Sequence, residues 1–273
     1  MLQVLEKLEG CEPKPFEIFV YIDDADKKLA QFIQDNNPRV KILTGATRVG
    51  PGGARHRCLN AASQPFFASF DDDSWPIDSD YFSVCIKIMN QENKVAVLEA
   101  SIFHQNQKEP TRKDALYETN GFTGCGHVMR VSAYRQVSGY VDRPWAYGLE
   151  ERDVSMQLMA SNWKIIKTSM ARVFHDTGLK HHGNKEITKA TIENAALLPW
   201  LRYPFYLWPI GVIQYMSVIR SLIKKKRWPG IADGLLGSFH EIWKHRKKRA
   251  PLPGAALVSI LAKKSLNLKK TSF

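Results

Sequence analysis

The chain of 273 residues is poor in paired cysteines: Cys11, Cys58, Cys85 and Cys125 are widely spaced, and none forms a Cys-x-x-Cys unit. That spacing supports neither a zinc knuckle nor a dithiol redox motif and points to a reduced, cytosolic setting. The first seven residues lack the basic start and long apolar core of a secretory signal, and read instead as an amphipathic helix. No internal repeat or low-complexity segment is evident. Acid is scarce in the last quarter, where residues 201–273 hold 15 of the 39 Lys and Arg against only Asp233 and Glu241. That segment therefore carries +13 and residues 1–200 about −1, within a formal net charge of +12. The pattern implies a nearly neutral catalytic or binding domain followed by a segment drawn to an anionic partner, a membrane surface or nucleic acid. No recognised nucleic-acid motif accompanies the basic residues, which makes nucleic acid the weaker expectation.

What the chain does carry is an alternation of strands and helices. A helix over 2–9 precedes a strand over 16–22, which ends at Asp23-Asp24-Ala25-Asp26. A helix over 27–34, an extended segment at 40–43, a Gly50-Pro51-Gly52-Gly53 loop and a helix over 54–62 follow. Pro65 and the apolar residues after it read as a short buried strand. Further on the pattern predicts a helix over 80–90 and a strand over 95–104. A polar excursion at 108–119 and a flexible Gly-rich turn at 121–126 come next, then an apolar strand and a helix over 132–137. A helix over 149–158 and a strand over 163–173 complete the series. Such alternation, with carboxylates at strand ends, implies a three-layer α/β domain with a mostly parallel central sheet, followed by C-terminal helices. The expected division is 1–195 for that domain and 196–273 for a basic, aromatic-rich helical tail.

Two acidic groups stand out. In Phe70-Asp71-Asp72-Asp73-Ser74-Trp75-Pro76, three adjacent carboxylates directly follow an apolar strand, at the end where open α/β sheets bind ligands. Hard cations such as Mg²⁺ and Mn²⁺ take one or two protein carboxylates and let substrate phosphates complete the shell. If the strand continued, Asp71 and Asp73 would share one side and Asp72 would face the other. The alternative is a solvated acidic turn. The second group, Glu150, Glu151 and Asp153, opens a helix, where carboxylates are favoured by the dipole alone. Trp145 and Tyr147 place aromatic surface just upstream, and a carboxylate beside aromatics suits a general base acting on a sugar hydroxyl.

The order of these features, from about residue 2 to 178, resembles the inverting family 2 glycosyltransferases of the GT-A fold. Ile22-Asp23-Asp24-Ala25-Asp26 looks like that family's first acidic strand end, which implies that Asp23 recognises the nucleotide base. Gly52 to Asn60 resembles its Gly-x-Ala-x-Ala-Arg-Asn stretch, with His56 where Asn is usual. Phe70 to Pro76 matches the DxD motif, which assigns Asp71 and Asp72 to the nucleotide-sugar and Asp73 to the metal. Leu149 to Leu158 matches the later Glu-Asp motif, with Glu150 on its Glu and Glu151 on its catalytic Asp, a change that keeps the carboxylate and lengthens its reach. His175 falls where many members place a metal- or diphosphate-contacting histidine, although a structural histidine is the commoner case. His181 and His182 read as surface residues. Arg55 would compensate diphosphate charge, as would Arg57, unless both are ordinary surface arginines. Trp145, Tyr147 and Asp153 would lie on the acceptor side. Family members begin with a strand and loop that form part of the nucleotide pocket, and this chain starts inside the following helix, as a truncated start would.

The resemblance implies transfer of a sugar from a nucleotide-diphosphate donor to an acceptor hydroxyl with inversion, using Mg²⁺ or Mn²⁺. The acceptor would be a saccharide or a lipid-linked one, in polysaccharide or glycolipid synthesis. Residues 197–223 are rich in Leu, Ile, Trp, Tyr and Phe but broken by Pro199, Pro204 and Pro209, so a peripheral arrangement on the inner face of the cell membrane is expected over a spanning helix. A helix packed on the catalytic domain is the alternative for this segment. For the chain as a whole, the alternative is a catalytically impaired GT-A scaffold acting as a membrane- or nucleic-acid-binding module.

Overall fold

The computed structural model describes residues 1–145, 149–177 and 184–270, of which 263–270 through their backbone alone. Two compact units result: Met1–Pro144 with Ser161–Gly178, and Trp145–Ala160 with Leu179–Phe273. The first contains α1 (Leu2–Glu9), β1 (Ile18–Ile22), α2 (Lys27–Asn36), β2 (Val40–Thr44), α3 (Gly50–Ala61), β3 (Phe66–Ser69) and β4 (Ser74–Pro76). It continues with α4 (Tyr81–Gln91), β5 (Val95–His104), β6 (Leu116–Thr119), β7 (His127–Arg130), α5 (Val131–Tyr134) and β8 (Lys164–His175). The second holds α6 (Glu150–Ala160), α7 (Lys185–Arg202), α8 (Trp208–Lys224), α9 (Ile231–Lys244) and α10 (Gly254–Lys270).

In the first unit β1 and β2 form a parallel pair, and a six-stranded sheet runs β3-β7-β5-β8-β4 with β6 also on β8. The two long pairings, β1–β2 and β5–β8, are parallel, as the strand–helix alternation implies. The short strands β3, β4, β6 and β7 add antiparallel pairings, so the sheet is mixed. Alternate residues of β1, namely Ile18, Val20 and Ile22, are buried against Leu5, Ile33 and Val40. Leu98, Val128 and Val173, from three neighbouring strands, pack against Tyr81, Cys85 and Met89 of α4.

Two local readings change. Gly50 to Gly53 do not form a loop but the first turn of α3, entered through Gly50 at φ +71°, where a Cβ would lie 1.8 Å from the Arg143 carbonyl oxygen. The stretch read as a polar excursion at 108–119 ends in β6, an edge strand whose Leu116 and Tyr117 are exposed, which is why it carries no alternation.

In the second unit the apolar stretch 197–223 is the end of α7, a 3₁₀ turn at Phe205–Leu207 and then α8. The break falls at Tyr203 and Pro204, where the helix cannot continue. No helix among the described residues is long and apolar enough to cross a membrane. α6 belongs with these C-terminal helices, so the units divide differently from 1–195 and 196–273. A buried ion pair ties α6 to α7: the Arg202 guanidinium donates from Nε and an NH₂ group to both Asp153 oxygens, at 2.5 and 2.9 Å, with both side chains 1% exposed. Breaking such a pair strands a charge away from water. Arg202→Met is expected to destabilise the protein by about 3–5 kcal/mol in chemical denaturation, while Asp153→Leu combined with Arg202→Met recovers most of that loss.

Candidate active site

β3 and β5 both run antiparallel to β7, and β5 runs parallel to β8, so β3, β5 and β8 all end at one edge. That edge collects the chemistry: the 71–73 acids follow β3, His104 ends β5 and His175 ends β8. The acids do not continue a strand. They form the turn between β3 and β4, closed by Ser74, whose Oγ accepts from the Asp71 amide at 2.7 Å and whose own amide donates to the Asp71 carbonyl at 3.1 Å. Strand alternation therefore does not decide where the three side chains point.

The next strand does. Ser74 is paired with His175 in the β4–β8 register, and the Asp176 amide donates to the Asp73 carbonyl at 2.8 Å. This brings Asp73 Oδ1 to 3.1 Å from His175 Nε2. Asp71 is held from the other side by Arg55, which is buried in α3 rather than lying on its surface. The Arg55 guanidinium donates to Asp71 Oδ1 at 2.5 Å and to Ser69 Oγ at 3.1 Å, and Ser69 Oγ donates to the Gly124 carbonyl at 3.0 Å. Gly126 lets this turn close: its φ is +66°, its amide donates to Ser69 O at 2.7 Å, and a Cβ would press on Val173. Asp72 is exposed.

Burial raises the Asp73 carboxyl above its usual range, Asp72 and Asp71 push it further, and His175 draws it back. Such a carboxylate gains from a cation. Asp71, Cys125 and His175 each offer a donor atom, all within 4.8 Å of one another. Cys125 Sγ lies 3.5 Å from His175 Nδ1, and burial pushes this thiol up to about 12. The carboxylate and imidazole donors at this turn fit Mn²⁺ and, less closely, the oxygen-seeking Mg²⁺.

The other sequence-derived candidates fall in several places. Asp23 sits at the N-terminus of α3, where its oxygens accept from Val49 N at 2.8 Å and Gly50 N at 3.2 Å. Arg57 is bound bidentately to Asp142, at 2.9 and 3.2 Å. In the second unit Glu150 is buried, Glu151 is half-buried in the first turn of α6, and Trp145 is exposed. Asp153 does not reach an acceptor face, because both its oxygens are held by the fully buried Arg202. Tyr147, His181 and His182 lie outside the described residues. Sequence reading passed over Cys125, His104, Ser69 and Ser74. The Gly-rich turn before Cys125 was a signal for the first, but the serines act only through register.

Solved structures share this architecture. GalNAc-T7 with UDP, GalNAc and Mn²⁺ matches at 13% identity and TM-score 0.59, over 75% of this chain and 46% of that one. TarS 1-349 of S. aureus, in complex with UDP-GlcNAc, matches at 12% and 0.55, over 82% of this chain and 76% of that one. The mannosyltransferase PcManGT from Pyrobaculum calidifontis, in complex with GDP-Man and Mn²⁺, matches at 11% and 0.54, over 99% and 84%. Among curated proteins none matches. The fold is thus that of the GT-A glycosyltransferases. The chain belongs to glycosyl transferase family 2, whose model matches residues 1–138, and the N-terminal domain of galactosyltransferase also matches, over residues 110–182.

Behind the acidic turn, His127 is fully buried, with Nδ1 on the Thr123 carbonyl at 2.8 Å and no partner at Nε2. Burial, with the Arg55 charge second, lowers it from 6.5 to about 3. The unfolded chain binds a proton near 6.5 that the folded one refuses, so the stability this neutral ring contributes is present above 6.5 and lost as pH falls toward 3. Denaturation at stepped pH is expected to give a wild-type loss in that window steeper than that of His127→Gln by about 1.4 kcal/mol per pH unit.

Proposed function

We propose that this chain transfers a sugar from a nucleotide-diphosphate donor to an acceptor hydroxyl with inversion, with Asp73 and His175 holding Mn²⁺ or Mg²⁺. The observation that carries this is the meeting of Asp73 and His175 at 3.1 Å, on the edge where Asp71 is already anchored by Arg55. When bound, the cation supplies neutralisation of the departing diphosphate. Asp71, Asp72 and Asp23 address the nucleotide, and Arg55 keeps Asp71 in place. The acceptor oxygen forms its bond to the anomeric carbon while the bond to the diphosphate oxygen breaks, its electrons leaving with the nucleotide. Glu151 takes the acceptor's proton.

Glu151 is favoured over its neighbour as base because Glu150 is buried and Glu151 is half-buried. Trp145, exposed just before α6, offers an acceptor-side ring. The acceptor in this reading is a saccharide or a lipid-linked one, in polysaccharide or glycolipid synthesis. Incubation with a panel of nucleotide-sugars, acceptors and Mn²⁺ is expected to release nucleoside diphosphate and to invert the anomeric configuration. Glu151→Gln should lower kcat by about 10²–10⁴-fold with nucleotide affinity unchanged. A folded wild-type chain that releases nothing from any donor contradicts the proposal.

A further inference from the structure

The C-terminal helices present a second surface that the transfer chemistry does not use. α8 packs on α7 through Ile219 and Leu222 against Ile192. α9 approaches α7 closely through Gly234, where a Cβ would meet Ile192 and the Lys189 carbonyl. Tyr215 of α8 and Ser238 of α9 join at 3.2 Å between their hydroxyls. These contacts use one side of each helix. Away from those contacts Ile213 and Met216 of α8 are 56–69% exposed, and Leu236, Phe239 and Trp243 of α9 are 66–78% exposed. Ile213 and Met216 are three apart, and Leu236, Phe239 and Trp243 are three and four apart, so each set lies along one face of its helix.

Charge says what this surface fits. Exposed lysines at 224–226 close α8, and Lys244, Lys247 and Lys248 close α9 and the turn after it. The two acids of the region are engaged, Asp233 with Lys185 at 3.0 Å and Glu241 with His245 at 3.3 Å. Arg246 stacks over the Trp243 ring at 4.0 Å, which keeps a cation beside the apolar stripe. Among the described residues no helix is long and apolar enough to cross a membrane. Aliphatic and aromatic side chains ringed by lysines match the acyl boundary and the phosphates of an anionic leaflet.

We propose that the outward faces of α8 and α9 bind the surface of an anionic lipid bilayer, without spanning it. The reading does not depend on the transfer reaction, and its test involves none.

The full chain is sedimented with phosphatidylcholine vesicles, with and without phosphatidylglycerol, at low and high salt. Binding is expected only to the anionic vesicles, and it should weaken as salt rises. Phe239→Ser with Trp243→Ser, and separately Lys224→Gln with Lys225→Gln and Lys226→Gln, should each weaken it by at least about tenfold. All five positions are exposed, so far-ultraviolet circular dichroism and the melting temperature should stay at wild-type values. Equal binding to neutral vesicles, binding unaffected by both variants, or no binding by the folded chain overturns the proposal. So does a stable self-associated form that the Phe239 and Trp243 substitutions dissociate and that vesicles do not compete away.

Discussion

The turn at 71–73 sets three carboxylates beside one buried guanidinium and one imidazole, and the fold around it is arranged to hold that charge in place. Arg55 would be a costly residue to bury in a helix without an anion to meet. It meets Asp71, and through Ser69 and the Gly124 carbonyl it fixes the Gly-rich turn against the end of β3. Asp73 is left with the imidazole of His175; burial, and behind it the charges of Asp72 and Asp71, keep its carboxyl above its usual range. A divalent cation held there would relieve that imbalance, in keeping with the proposed transfer from a nucleotide-diphosphate donor.

A second charged pair does a different job. Asp153 and Arg202 bury a carboxylate and a guanidinium together and tie the start of α6 to the end of α7. Three acids lie in the first turn of α6, and their fates diverge by environment: Asp153 is consumed in the pair, Glu150 is buried, and Glu151 is half-buried. The C-terminal helices therefore have a structural part in positioning an acidic helix as well as an outward surface of their own.

Much of this was legible in the sequence because it follows from local pattern. The β1 alternation, the β5 run from Val95 to His104 and the first helix coincide with their elements, and the ordered acidic motifs identify the family. What was not legible depends on long-range pairing. Whether Asp72 opposes Asp71 depends on the chain turning after Ser69, and Asp73 meets His175 only because β4 pairs with β8, a hundred residues apart in their registers. Arg55 looked like a surface residue because its burial is decided by Asp71, and Asp153 looked available because Arg202 lies far along the chain. Gly50 to Gly53 were read as loop because glycine is a poor helix former, yet close packing of α3 against Asp142 and Val49 needs residues without side chains there.

The central claim is that the acidic turn is a cation-dependent nucleoside diphosphate site. Calorimetric titration with UDP and with GDP, in the presence and absence of Mn²⁺, tests it most directly on the wild type and Asp73→Asn. The account predicts that at least one nucleotide binds the wild type with Mn²⁺ and at least about tenfold more weakly without it, and that Asp73→Asn loses this dependence. Binding of equal strength with and without Mn²⁺, or an Asp73→Asn protein that binds like the wild type, would contradict it.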